Sequence, residues 1–94
     1  MGKNALEGLL DGLSFRMFTV HRAYGFRFVI FSNDHDPPHV HVFGHGGEAK
    51  IILEEPVRLD WWAGFGSGDL RKMILEARRE REPLLAMWRK LHER

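Results

Sequence analysis

Phe26-Arg-Phe-Val-Ile-Phe-Ser-Asn-Asp-His-Asp-Pro-Pro-His-Val-His-Val-Phe43 is the stretch on which the reading of this chain turns. Its first six residues are apolar at every position except Arg27, and they are β-branched or aromatic. That composition suggests a strand buried on most of both faces. Asn33 to Pro38 then reads as a loop. Asn33 and Asp34 are turn formers, and Pro37 and Pro38 lack amide donors and force extended backbone. From His39 the residues alternate. His39, His41 and Phe43 fall on one face, and Val40 and Val42 fall on the other. Upstream, Met17-Phe-Thr-Val-His21 is rich in β-formers, and Tyr24-Gly25 offers the turn of a first hairpin. Downstream, Gly44, Gly46 and Gly47 supply a turn into Glu48–Leu53, which makes a second hairpin. Pro56 breaks the pattern, and Val57–Leu59 reads as a short edge strand.

Beyond it, Asp60 to Ser67 reads as a connector, with Ser67 as a helix N-cap and Asp69 in the first turn. Leu70, Met73, Ile74 and Ala77 mark one apolar helical face. Leu84, Leu85, Trp88 and Leu91 mark another. A single straight helix over both would run ~36 Å, longer than so small a domain is wide. Pro83 disfavours helix at Glu82. Two helical segments, or one sharply bent helix, are therefore expected, with the break near Glu80–Glu82. The fold class that follows is α+β: a small antiparallel sheet of four or five strands, built from two hairpins and packed against C-terminal helices. Trp61, Trp88, Leu70, Ile74 and Leu84 should pack against Phe28, Ile30, Val40 and Val42. His39 and His41 would then face outward, on the exposed face or at its rim. Residues 17–94 make one domain. Residues 1–16 form an N-terminal arm or short helix, on which Leu6, Leu9, Leu10 and Leu13 make an apolar stripe that leaves a homodimer open.

With 94 residues the chain has room for one domain. It has no cysteine, which excludes disulfides, thiolate metal sites and cysteine nucleophiles. It has no apolar run of membrane-spanning length and no signal-peptide pattern, so no membrane is expected and the chain reads as cytoplasmic. There is no Gly-rich phosphate loop, dinucleotide fingerprint or serine-hydrolase motif, which argues against an ATPase, a dehydrogenase or a serine hydrolase. The net charge of +1 is too small to mark a strong nucleic-acid binder, and the basic residues gather in the C-terminal third.

Chemistry concentrates in the loop and strand after Phe31. Two histidines on one face of a strand, His39 and His41, lie ~6–7 Å apart at the backbone, so their rings can converge. His35 stands on the preceding loop, between Asp34 and Asp36. Lys50 and Glu48 share a face of the next strand. Three chemistries fit. A divalent metal, zinc or manganese, could be held by His39 and His41 with His35 as third ligand, or with Asp34 or Asp36 in that place or as an orienting group. Alternatively, RNA could be cleaved with no cofactor. His35, His39 and His41 would be the centre, with one histidine as base and another as acid; Asp34 would orient a histidine, and Lys50, Arg58 or Arg27 would stabilise phosphorane charge. The third is a non-catalytic protein- or DNA-binding surface, which would draw on Arg71, Arg78, Arg79 and Arg81. A lone strand histidine is usually structural. Accordingly His21 and His45 read as structural or peripheral, and His92 reads as solvated in a charged tail.

Asn33-Asp-His-Asp-Pro-Pro-His-Val-His-Val42 also resembles the N-D-H-x-P-P-H-V-H-V signature of a family of small, mostly bacterial proteins classed as a domain of unknown function. The resemblance continues through Gly47–Lys50, Val57–Leu59 and Leu70–Trp88, roughly residues 17–92. It implies the toxin member of a toxin–antitoxin gene pair, with an antitoxin-like protein from an adjacent gene as partner. The positions it carries over are His35, Pro38, His39, His41 and Lys50. The Leu-rich arm before Ser14 and the Gly66-Ser-Gly68 helix start depart from the family pattern.

Overall fold

The computed structural model describes residues 16–93. The apolar stripe Leu6–Leu13 and the arm assigned to residues 1–16 fall outside them, apart from Arg16. Five strands, β1 (Met17–Ala23), β2 (Phe26–Phe31), β3 (His39–Gly44), β4 (Gly47–Ile52) and β5 (Arg58–Ala63), form one sheet in the order β1-β2-β3-β4-β5, each antiparallel to the next. Two helices follow, α1 (Ser67–Arg79) and α2 (Arg81–His92). This is the expected α+β class, with five strands.

Local backbone chemistry sets the two tight hairpins. Tyr24 and Gly25 both have positive φ (57° and 81°), as do His45 and Gly46 (49° and 79°). That pair of conformations defines the two-residue turn whose twist suits a hairpin. Side chains of one parity along the strands, among them Phe28, Ile30, Val40, Val42, Ala49 and Ile51, meet Met73 and Ala77 of α1 and Leu84, Leu85 and Trp88 of α2 in one buried cluster. Truncating a large member such as Phe28 to alanine is expected to cost ~3–5 kcal/mol.

The helices break where expected. Glu80 ends α1 with φ −101° and ψ 17°, and its amide still donates to the Glu76 carbonyl at 2.9 Å. Pro83 lies in the first turn of α2, where no intrahelical amide donor is needed. Arg81 Nε donates to the Leu53 carbonyl at 2.8 Å, which ties the start of α2 to the end of β4. The cap differs by one residue from expectation. Gly66 is the N-cap, and Ser67 is already helical.

β5 runs four residues beyond the expected edge strand, through Trp61 and Trp62 to Ala63. Both indoles are exposed, at 40% and 51%, so Trp61 does not join the core as anticipated. The register explains this. Lys50 pairs with Trp61 and Ile51 with Leu59, which leaves Asp60 as an extra, bulged residue.

A second bulge, in β1, turns His21 toward the helices. Thr19 pairs with Val29 but His21 pairs with Phe28, which leaves Val20 unmatched. The His21 ring packs edge-on against Phe28 at 5.3 Å. Its Nε2 meets Glu76 Oε2 at 2.5 Å, and Arg79 grips both oxygens of Glu76 at 2.9 and 3.0 Å. Glu76 is only 4% exposed, so this network pairs a buried carboxylate. His21 is structural, as expected.

Candidate metal centre

The β2–β3 loop is folded back on itself by its own polar groups. The Phe31 amide donates to Asp34 Oδ2 at 2.9 Å, and the Asp34 amide donates to the Phe31 carbonyl at 3.0 Å. This reciprocal pair fixes the carboxylate over the end of β2. Ser32 is bonded to Arg16 through its backbone amide (2.9 Å) and its hydroxyl (2.7 Å). At the other end of the loop the Pro38 carbonyl accepts from the Leu53 amide at 2.8 Å. With Oδ2 occupied, Oδ1 of Asp34 is the free acceptor, and both strand histidines face it. His39 Nε2 lies 3.4 Å away and His41 Nε2 3.6 Å away.

Each ring is held from behind. His39 Nδ1 donates to the Pro37 carbonyl at 2.8 Å. A neutral His39 therefore presents a bare Nε2 lone pair to a carboxylate oxygen. That contact is repulsive until a proton or a cation lies between them. The His39 ring packs 5.0 Å from Trp88 and 5.1 Å from His41, and the residue is 3% exposed. The expectation of an outward-facing His39 is thus corrected: α2 supplies the indole that closes over it. The His41 ring meets Phe31 edge-on at 4.9 Å, its Nδ1 is buried without a hydrogen-bond partner, and the nearest facing carboxylate is Glu48 Oε2 at 3.7 Å.

Distances decide what the trio can do. They exceed the 2.7–3.2 Å of a good N–H···O bond. Ligands at ~2.1 Å from a tetrahedral ion stand ~3.4 Å apart. The donor atoms of Asp34, His39 and His41 all lie within 4.8 Å of one another and could hold a metal ion. Two neutral imidazoles and one carboxylate also match the donors that zinc and similar divalent ions take. The Asp34 carboxyl is held well below the usual carboxylate range. Burial is the largest single influence and pushes it up, but the facing His39 and His41 rings and the hydrogen bond from the Phe31 amide together outweigh it.

The remaining predicted residues are distributed around this centre. His35 is exposed and stands outside the trio, but it lines the two adjoining cavities. The larger is about 400 Å³, between Ser32–His35 and the Leu91–Glu93 end of the chain. The smaller, about 180 Å³, is bounded by Asp34, His35, Asp36, Trp88 and His92. Lys50 is the cross-strand partner of His41, and its Nζ lies 3.7 Å from Asp60 Oδ2. Arg27 sits over the Phe43 ring at 5.6 Å, and Arg58 pairs with Glu54 at 2.9 Å, so both are engaged away from the trio.

Three residues at the centre were given no role in the site from the sequence. Trp88 separates His39 from His92. His92 is no solvated tail residue: its ring stacks on Trp88 at 3.9 Å, and its Nδ1 donates to the Trp88 carbonyl at 2.8 Å. The Trp88–His92 spacing of four residues on a helix was the available signal. Glu48 is the third, facing the outer nitrogen of His41.

The family described as Domain of unknown function (DUF4160) matches residues 25–89. The chain belongs to the DUF4160 family. The match takes in the loop, both strand histidines, Glu48 and Trp88, but begins after His21 and ends before His92, a shorter span than the sequence resemblance suggested. No curated protein and no solved structure matches the chain. Among the described residues no helix is long and apolar enough to cross a membrane.

Proposed function

We propose that this DUF4160 protein is a divalent-metal-dependent hydrolase of RNA phosphodiesters and the toxin-like member of a two-gene module. The observation that carries the metal reading is the convergence of His39 Nε2 and His41 Nε2 on Asp34 Oδ1, at 3.4 and 3.6 Å. Two nitrogens aimed at one oxygen suit a single shared cation. They do not suit a metal-free acid–base pair, which must stand on either side of a phosphate. Asp34, His39 and His41 would hold a divalent ion there, and it would supply Lewis-acid stabilisation of phosphoryl charge. Lys50, in register with His41, stands ready to share the phosphate's charge. His35 lines the cavities beside Asp34, where it can exchange a proton with a bound substrate. The antitoxin-like partner from an adjacent gene rests on the family resemblance, and the RNA target rests on the chemistry of the histidine cluster. Zinc and manganese are the ions to test.

A non-catalytic binding module is the second reading, and the exposed Trp61 and Trp62 on the edge strand β5 favour it. Its proposed arginine surface is weaker, because Arg79 is tied to Glu76 and Arg81 to Leu53 and Glu82. The test is direct. Purified protein should bind about one zinc or manganese per chain, cleave single-stranded RNA in an EDTA-sensitive manner, and arrest growth when expressed. His39→Ala/His41→Ala should remove all three while the far-ultraviolet circular dichroism is retained. A folded double variant that still cleaves RNA or arrests growth overturns the site. A wild-type protein without metal affinity overturns the metal.

A further inference from the structure

A metal site made with His41 Nε2 requires the ring's single remaining proton to stand on Nδ1. Imidazole has two tautomers, and the partner of the outer nitrogen selects between them. For His39 that partner is in place, the Pro37 carbonyl at 2.8 Å. For His41 it is not. Its Nδ1 is buried and lacks a hydrogen-bond partner, a situation that costs free energy unless something fills it. Glu48 Oε2 faces that nitrogen from 3.7 Å. Glu48 lies on β4 opposite Phe43, diagonal to His41 on the same face of the sheet, which is within reach of a long side chain. Its side chain is 40% exposed, so a change of rotamer can shorten the contact without disturbing the core.

We infer that Glu48 is a positioning residue: it accepts the Nδ1–H of His41 and so directs the bare Nε2 toward Asp34. This rests on the reading of Asp34, His39 and His41 as a metal site. Glu48 is not a further ligand, because it faces the opposite edge of the ring from Asp34. The two histidines are thereby held by different means. One is locked by the backbone of a proline-stiffened loop, and the other by a movable carboxylate. An outer partner of this kind typically changes metal affinity 10–100-fold.

The experiment combines zinc titration calorimetry with long-range proton–nitrogen NMR of the histidine rings, on wild type, Glu48→Ala and Glu48→Gln. Wild type should carry the His41 proton on Nδ1 in the zinc-loaded protein. Glu48→Ala should bind zinc about 10–100-fold more weakly and show a mixed tautomer for His41 in the metal-free protein. His39 should be unchanged in all three. Glu48→Gln, whose amide oxygen still accepts a hydrogen bond, should recover most of the affinity. Thermal melting without metal should be the same in all three, which a merely structural role for Glu48 would not give. If wild type binds zinc and Glu48→Ala matches it within twofold with an unchanged tautomer, Glu48 has no positioning role and the metal site stands. If wild type binds no zinc, the site reading fails and Glu48's role fails with it.

Discussion

The histidine–carboxylate cluster around Glu76 and the one around Asp34 differ in how completely they are satisfied. Around Glu76 each carboxylate oxygen has a close partner: His21 Nε2 at 2.5 Å and the Arg79 guanidinium at 2.9–3.2 Å. Around Asp34 one oxygen is satisfied by the Phe31 amide, and the other faces two ring nitrogens at 3.4 and 3.6 Å, too far for strong hydrogen bonds. The first cluster is closed and holds a bulged edge strand against a helix. The second has a vertex at which three donor atoms meet without completing one another. A carboxylate beside a histidine is therefore not a functional signature by itself. The unfilled valence is what separates the two.

Isosteric amides give the largest test of that contrast, because the two clusters should respond in opposite ways. Asp34→Asn keeps an acceptor for the Phe31 amide and turns an NH2 group toward the imidazole nitrogens. Its zinc affinity should fall by at least about 100-fold, beyond the effect of an outer partner. Glu76→Gln removes the charge from a buried set of charge-assisted bonds. It should lose about 2 kcal/mol in urea unfolding and keep zinc affinity within about twofold of wild type. If Glu76→Gln leaves stability unchanged, or Asp34→Asn retains zinc, the two clusters are not distinct in kind.

Acid should reveal both carboxylates together, with a smaller effect. Arg79 is the largest influence on Glu76 and lowers its pKa. Burial opposes that shift, and the hydrogen bond from His21 reinforces it. Asp34 is also held low. In the unfolded chain these groups titrate near ~4. Between those values and the lower folded ones the unfolded state binds more protons, so stability rises with pH. The contribution of both groups is thus fully present above about pH 4–5 and is lost as the pH falls toward the folded values. Urea midpoints measured from pH 7 to pH 3 should fall for wild type and fall less steeply for Asp34→Asn/Glu76→Gln. Parallel curves would mean that neither group is held by its neighbours.

Much of this architecture is legible in the sequence because its causes are local. The alternation at His39–Phe43, the Tyr24-Gly25 turn and the break ahead of Pro83 each follow from adjacent residues. The misread parts have causes elsewhere in the chain. Trp61 and Trp62 belong to β5, but the bulge at Asp60 interrupts the two-residue period that identifies a strand. The burial of His39 is decided by Trp88, 49 positions away, and no periodicity reports on that contact. As metal ligands, Asp34 and Asp36 both stay open in the sequence. Only the fold-back onto the Phe31 amide selects Asp34 as the carboxylate of the trio.

His35 gives the smallest and most selective test, because the sequence grouped it with His39 and His41 and the fold separates it from them. It is exposed, lies outside the set of donor atoms that meet within 4.8 Å, and lines the cavities beside that set. A ligand and a cavity-wall residue make different predictions. If His35 were a ligand, His35→Ala would weaken zinc binding as severely as His41→Ala. As a wall residue it should leave zinc affinity within about twofold of wild type and the melting temperature unchanged, as for most surface substitutions. RNA cleavage should drop by about 10²-fold or more, the scale of a lost acid–base group. The loss should fall on one limb of the pH–rate profile, because a removed proton donor or acceptor deletes one titration and leaves the other. His35→Gln should behave in the same way as His35→Ala, since glutamine can hydrogen-bond a substrate but cannot exchange a proton near neutral pH. Retention of the full pH profile in either variant would assign His35 to the surface and confine the chemistry to the Asp34–His39–His41 centre.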